Sequence, residues 1–207
     1  MDYKVVILMS TGIDSPVAAH LMCKAGADVN ILHIDNGSFT GDNEIDKLRS
    51  IFERLTQIYP DIDLYEVFFE DVQREISSKA NQHFQCILCK RMMYRAAEKL
   101  ASEIDADAIV TGESMGQVAS QTLSNLQTQD SVVELPIHRP LIGLDKNEII
   151  EIAKEIGTYQ ISIKPGICCL LTPDKPRVKS DIDELKKLER ELEYNSKINS
   201  LKFKKID

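Results

Sequence analysis

Three groups of residues in this chain carry side chains suited to chemistry. The first is Ser10-Thr11-Gly12-Ile13-Asp14-Ser15-Pro16, placed directly after the apolar run Val5–Met9. A buried strand, a tight turn and a helix opening at Asp14-Ser15-Pro16 aim backbone N–H groups at one point, which suits a phosphate. No lysine of the Walker A type stands in the loop, which argues against a P-loop. The second group is thiols: Cys86-Ile87-Leu88-Cys89, followed by Lys90 and Arg91, and the adjacent pair Cys168-Cys169. A helix start and two cations next to a thiol favour its thiolate. The third group sits at the ends of two further apolar runs. His33 and Ile34 close the run at 29–34, and Gly112 and Glu113 follow the run at 107–110. Gly112 permits close backbone approach, and Glu113 suits Mg2+ beside phosphates. The polar run 114–122, with Gln121, adds uncharged hydrogen-bonding groups. Each has a plain alternative: a strand–helix turn, a structural histidine, a solvated helix start.

The loop pattern that fits is the pyrophosphatase loop, Ser-Gly-Gly-x-Asp-Ser, which grips the pyrophosphate of ATP while the α-phosphate is attacked. Thr11 stands here at the second position. A side chain there narrows the backbone angles and sits beside the phosphates. The thiols admit several readings. A redox disulfide wants a thioredoxin-like fold, which the nucleotide loop contradicts. Structural zinc takes four ligands, and adjacent Cys168 and Cys169 would chelate one tetrahedral ion awkwardly. Three thiols, Cys86, Cys89 and one of the pair, suit a cubane cluster with one iron lacking a protein ligand. Simple burial is the remaining alternative.

These residues need a scaffold, and the apolar patterning supplies one. Strand and helix signals alternate, the pattern of a doubly wound parallel α/β sheet with ligands beyond the strand ends. Strands are expected at 5–9, 29–34, 64–69 and 107–110, with short pieces at 132–135 and 140–142. Helices are expected from 14 to Gly26, and over 43–58, 72–79, 90–104, 118–126, 146–156 and 181–194. Residues 161–173 read as loop. Residues 1–180 form the main domain and 181–207 a C-terminal helical tail, with the basic stretch 197–205 expected to be solvated rather than to touch RNA. The 207 residues suffice for one α/β core. A net charge of −8 argues against tight, unaided binding to nucleic acid. With no membrane-length apolar run and no visible leader, a cytoplasmic location is expected.

Taken together the chain resembles the catalytic domain of the ThiI family, the tRNA 4-thiouridine synthetases. The likeness lies in an ordered series: Ser10 to Ala18, Cys89-Lys90-Arg91-Met92-Met93-Tyr94-Arg95-Ala96-Ala97, Val110 to Leu123, and Arg139 to Lys146. The resemblance implies an adenine nucleotide alpha hydrolase-like fold. It also implies an ATP-dependent sulfurtransferase that adenylates O4 of a tRNA uridine, after which a sulfur nucleophile displaces AMP. Nucleotide contacts carry over to Leu8, Met9, His33, Ile34, Lys90, Gly112 and Gln121, with Ser10, Thr11, Gly12, Asp14 and Ser15 from the loop, and Mg2+ accompanies ATP. Asp14 joins the catalytic group. The essential thiol falls on Cys169, or on its neighbour Cys168, ahead of Pro176-Arg177-Val178-Lys179.

The Cys-x-x-Cys resembles that of archaeal-type members and related thiouridine synthetases that use an iron–sulfur cluster. Cys86, Cys89 and Cys169 are therefore expected to hold a 3Fe-4S or 4Fe-4S cluster whose open iron carries sulfide. No rhodanese module and no N-terminal THUMP module are seen between Met1 and Asp207, so a stand-alone form is expected. A separate RNA-binding subunit or a homodimer surface would then help grip tRNA, and a sulfur donor is required. Two alternatives stand beside this reading: the same adenylation chemistry on a small molecule, or a nucleotide-binding partner that has lost catalysis.

Overall fold

The computed structural model describes residues 3–41, 43–115, 121–166, 169–171, 177, 179–192 and 194–206. Six strands form one sheet: β1 (Lys4–Met9), β2 (Asp28–Asp35), β3 (Asp63–Phe68), β4 (Ala108–Val110), β5 (Ile137–His138) and β6 (Phe203–Ile206). Their order is β5-β4-β1-β2-β3-β6. The first five are parallel, and β6 runs antiparallel to β3. The chain leaves β1 toward β2 and β3, then returns to the other side of β1 to add β4 and β5. That reversal makes a crevice beyond the carboxyl ends of the central strands.

Strand periodicity divides the core between two faces. Val5, Ile7 and Met9 pack with Val17, Leu48, Leu55 and Ile149 on one face. These come from α1 (Asp14–Lys24), α2 (Glu44–Thr56) and α6 (Lys146–Glu155). Val6 and Leu32 pack with Val72, Leu88, Ala97 and Leu185 on the other. These come from α3 (Glu70–Lys79), α4 (Gln85–Glu103) and α8 (Ile182–Arg190), with α5 (Leu123–Asp130), α7 (Tyr159–Ser162) and α9 (Tyr194–Ser200) completing the set. α1 stops where Gly26 takes φ +87°, a left-handed turn that glycine enters without steric cost. α6 starts in a capping box: Asp145 accepts from the N–H groups of Asn147 and Glu148, and Glu148 accepts from the Asp145 N–H.

The expected doubly wound sheet is present, and several local expectations change: the piece expected at 140–142 is a turn, α7 runs into the expected loop at Ile161–Ser162, and the helix expected over 181–194 ends at Arg190. Helix α4 begins at Gln85 rather than 90, so Cys86 and Cys89 lie on the helix, not ahead of it. Residues 132–135 form no strand; β5 follows at Ile137–His138, where His138 O accepts from the Thr111 N–H. The expected helix at 118–126 falls partly on residues outside those described, and its described part starts α5 at Leu123. Most consequentially, 197–205 is not a solvated tail. It runs through α9 into β6, which extends the sheet beside β3. Lys99 Nζ holds this return by donating to the carbonyls of Asn199 at 2.7 Å and Leu201 at 2.6 Å, oxygens that a helix end leaves open. Among the described residues no helix is long and apolar enough to cross a membrane.

Candidate functional site

Beyond the carboxyl ends of β1 and β2 lies a cavity of about 300 Å³. Its wall is formed by Leu8, Met9, Ser10 and Thr11 from β1 and its loop, and by His33, Ile34 and Asn36 from β2 and its turn. The opposite wall is one face of α4: Cys86, Cys89, Lys90 and Met93, at positions i, i+3, i+4 and i+7. Cys169 and Gln73 close it. The structure thus gathers residues that lie more than a hundred positions apart in the chain.

The loop is held by its own side chains. Ser15 Oγ accepts from the Ser10 N–H at 2.9 Å and donates to the Ser10 carbonyl at 3.0 Å, stapling its two ends. The residue preceding α1 is Ile13, whose apolar side chain supplies no cap to the first-turn N–H groups. Thr11 needs no glycine backbone: among the described non-glycine residues only Asn43 and Asp105 have positive φ. Its hydroxyl donates to the buried Glu44 carboxylate. His33 is fixed by a 3.2 Å hydrogen bond between Nδ1 and the Met9 carbonyl.

Gly112 lies outside the cavity wall, and its close approach is to protein backbone. A Cβ there would stand 2.7 Å from both Cα and N of Ser15. Gly112→Ala is therefore expected to push the first turn of α1 off its position. We expect a loss of about 1–3 kcal/mol of stability, the usual range for overpacking, together with weaker nucleotide binding, measured by urea unfolding and equilibrium dialysis. Asp14 also points away from the cavity, toward Lys146 Nζ at 2.5 Å. Gln121 is buried, and among the described residues its Oε1 has no hydrogen-bond partner. Residues 116–120 of the polar run, Cys168, and 176 and 178 of the Pro-x-Val-Lys element lie outside the described residues.

Glu113 is not available as a Mg2+ ligand. One oxygen accepts from Lys90 Nζ at 2.6 Å; the other accepts from Tyr94 OH at 2.7 Å, Arg139 Nε at 2.9 Å and Thr111 Oγ1 at 3.1 Å. Burial pushes its pKa up. The charge and hydrogen bond of Lys90, with Tyr94 and Arg139, outweigh that and hold it at about 2. The carboxylate thus anchors Lys90 on the cavity wall. Against an unfolded value of 4.5, this depressed pKa contributes on the order of 3 kcal/mol above pH 4.5. The contribution fades as pH falls from there toward 2. Urea unfolding should therefore show a gap between wild type and Glu113→Gln that is full at pH 7 and shrinks on acidification. A gap unchanged down to the acid limit would contradict this.

The thiols share the cavity but do not surround one point. Gln73 stands between two of them: its Oε1 accepts from Cys89 Sγ at 2.9 Å, and its Nε2 donates to Cys169 Sγ at 3.7 Å. Among the described residues no three His, Cys, Asp or Glu side chains are grouped so as to hold a metal ion. The donor chemistry, three thiols lining one cavity, suits a cluster; the Gln73 amide, which now separates Cys89 from Cys169, would have to yield to it. Cys23, by contrast, lies on α1, where burial pushes its thiol up to about 11, and it stays inert.

Residues 1–194 match the family described as "Thiamine biosynthesis protein (ThiI)". The chain belongs to the ThiI family. It is 39% identical over 206 residues to a probable tRNA sulfurtransferase of Caldanaerobacter subterraneus subsp. tengcongensis, covering 99% of this chain and 54% of that protein. It is 42% identical over 193 residues to a probable tRNA sulfurtransferase of Methanocaldococcus jannaschii, covering 91% and 50%. Among solved structures, a 4-thiouridine synthetase–RNA complex with bound ATP superposes with a TM-score of 0.90 at 38% identity, covering 99% of this chain and 55% of that one. NMN synthetase from Francisella tularensis, at 18% identity and a TM-score of 0.61, shares the fold. The ThiI-family chain studied here spans about half the length of the curated relatives it matches.

Two residues of this ThiI-family site escape sequence reading. Gln73 is a neutral amide on a helix with charged residues on either side of it, and Glu44 reads as one more acid in the first turn of α2. Only burial sets them apart: each is 3% exposed. In the sequence, the sole hint for Glu44 is the apolar spacing of α2, and for Gln73 its place one residue after Val72.

Proposed function

We propose that this chain is the catalytic unit of an ATP-dependent sulfurtransferase that adenylates a tRNA uridine and replaces its oxygen with sulfur. The observation that carries the reading is the single cavity in which a phosphate-suited loop, the Lys90 cation and the thiols meet. The adenine nucleotide would lie along Leu8, Met9, His33 and Ile34, with its phosphates over Ser10–Ser15 and Gly12, and with Mg2+ held by phosphate and water oxygens. Gly112 supports the loop from behind, and Asp14 and Gln121 border it. Negative charge grows on the α-phosphate when the uridine oxygen attacks, and Lys90 stands where it is stabilised. Pyrophosphate leaves, and the adenylated base becomes open to sulfur.

Cys169, from its place in the same cavity, serves the sulfur step; Cys168 is its alternate. Cys86, Cys89 and Cys169 would together hold an iron–sulfur cluster. When bound, such a cluster supplies an iron without a protein ligand, on which sulfide can be presented. Anaerobic purification with iron and acid-labile sulfide analysis tests this, and a protein that stays free of iron after reconstitution rules it out. A net charge of −8 leaves tRNA capture to a separate RNA-binding subunit or a homodimer surface, and the sulfur to a donor. A tRNA substrate agrees with a cytoplasmic location.

The activity test is product analysis with labelled ATP. The reading expects AMP and pyrophosphate, formed only when tRNA is present. ADP and phosphate, or turnover indifferent to RNA, would count against it.

A further inference from the structure

Thr11 replaces a glycine of the loop pattern, and its side chain is answered by a carboxylate from another helix. Glu44 is the first residue of α2, follows the left-handed Asn43 (φ +73°), and is 3% exposed. Among the described residues it accepts from Thr11 Oγ1 and forms no ion pair. Burying a carboxylate costs several kcal/mol unless hydrogen bonds or a counter-charge offset it, and here the Thr11 hydroxyl supplies a hydrogen bond. Its other oxygen, Oε1, lies over Gly166, where a Cβ would collide with it. One buried side chain therefore touches the nucleotide loop with one oxygen and the segment leading to Cys169 with the other.

Further links tie the same two parts together. Ser162 Oγ donates to the Gly12 carbonyl at 3.1 Å, inside the loop itself. From α2, Lys47 Nζ donates to the Lys164 carbonyl at 3.0 Å. Beyond Gly166, the Leu170 N–H donates to the Phe39 carbonyl at 2.9 Å. Glu44, 3% exposed against 8% for Ser162, is the more deeply buried of the two side chains that reach across from one part to the other.

We infer that Glu44 is a positioning residue that holds the nucleotide loop, through the Thr11 hydroxyl, in register with residues 163–166, which precede the thiols in the chain. Loading of the loop is thereby felt at that segment. Thr11 is on this view a working part of the loop rather than a sign of lost activity. The inference rests on the proposed nucleotide role of Ser10–Ser15.

The test is hydrogen–deuterium exchange of the full chain with and without MgATP, alongside direct measurement of ATP binding. In wild type, ATP should slow exchange of the Ile163, Lys164 and Gly166 amides, the ones 163–166 offers since Pro165 has none, by about fivefold or more, the lower edge of ordinary site-to-site coupling. Thr11→Ser and Glu44→Gln keep a donor and an acceptor and should retain the effect. Glu44→Met, a change on α2 outside the loop, should bind ATP yet lose the slowing at 163–166 while keeping it at the loop. Gly166→Ala, which presses on Glu44 from the far side, should weaken it too. Equal slowing in wild type and Glu44→Met overturns the inference, as does ATP binding to wild type without any change at 163–166. No ATP binding to wild type overturns the nucleotide reading itself, and this inference with it.

Discussion

Replacing Lys90 by methionine is expected to slow adenylation about 100- to 1000-fold, the range seen when one preorganised group facing developing charge is removed. Lys90 sits on the α4 face that lines the cavity, one helical turn beyond Cys86, and its ammonium is anchored by Glu113 at 2.6 Å. That anchor fixes the cation before the nucleotide arrives, so little reorganisation remains to be done during reaction. Methionine keeps the length and packing of the stem and removes the charge. Glu113 retains Tyr94, Thr111 and Arg139, so the variant should fold, with a modest stability loss. Pre-steady-state pyrophosphate release, measured with thermal unfolding on the same samples, separates the two effects. Lys90→Arg should recover part of the rate. A Lys90→Met enzyme within threefold of wild type would remove Lys90 from the chemistry.

The second large effect concerns folding. Arg91, next in sequence, points away from the cavity and is 1% exposed. Its Nε and Nη2 donate to the two oxygens of Glu189 at 2.5 and 2.9 Å, a bidentate pair. Nη1 donates to the Thr128 carbonyl and to Ser131 Oγ. The pair bolts α8, and with it the return to β6, onto α4. Removing one partner strands the other as a buried charge, so Glu189→Leu is expected to cost about 3–5 kcal/mol. The double variant Arg91→Met with Glu189→Leu should regain most of that, because an apolar pair of similar size avoids the desolvation cost altogether. Urea unfolding of the four proteins measures the coupling. Additive single losses would show that the ion pair carries no such coupling.

The sequence reveals the central scaffold because its signals are local. Val5–Met9 is an unbroken apolar run, Gly26 marks the stop of α1, and Asp145 with Glu148 announces the start of α6. The α4 start was hidden by composition: Gln82-His83-Phe84-Gln85 carries no strong capping signal, and the thiols draw attention as a loop motif. Two faces of one helix then serve two ends, with Lys90 and the thiols toward the cavity and Arg91 toward α8. The strand β6 was hidden for another reason. Phe203 and Ile206 flank two lysines, which suits a solvated tail as well as an edge strand, and only pairing with β3 chooses between them. Pairings such as Thr11 with Glu44, Gln73 with two thiols, and Arg91 with Glu189 join residues far apart in the chain, and no spacing rule foretells them.

For the account as a whole, the most direct measurement is nucleoside analysis by mass spectrometry. Unmodified tRNA would be incubated with the chain, MgATP and a sulfide source under anaerobic conditions. Parallel reactions would use Cys169→Ser and Lys90→Met, and one would omit ATP. The account predicts a thiolated uridine in the wild-type reaction that depends on ATP, falls sharply with Lys90→Met and disappears with Cys169→Ser. Thiolation that persists without ATP, or at the wild-type level in Cys169→Ser, would contradict it.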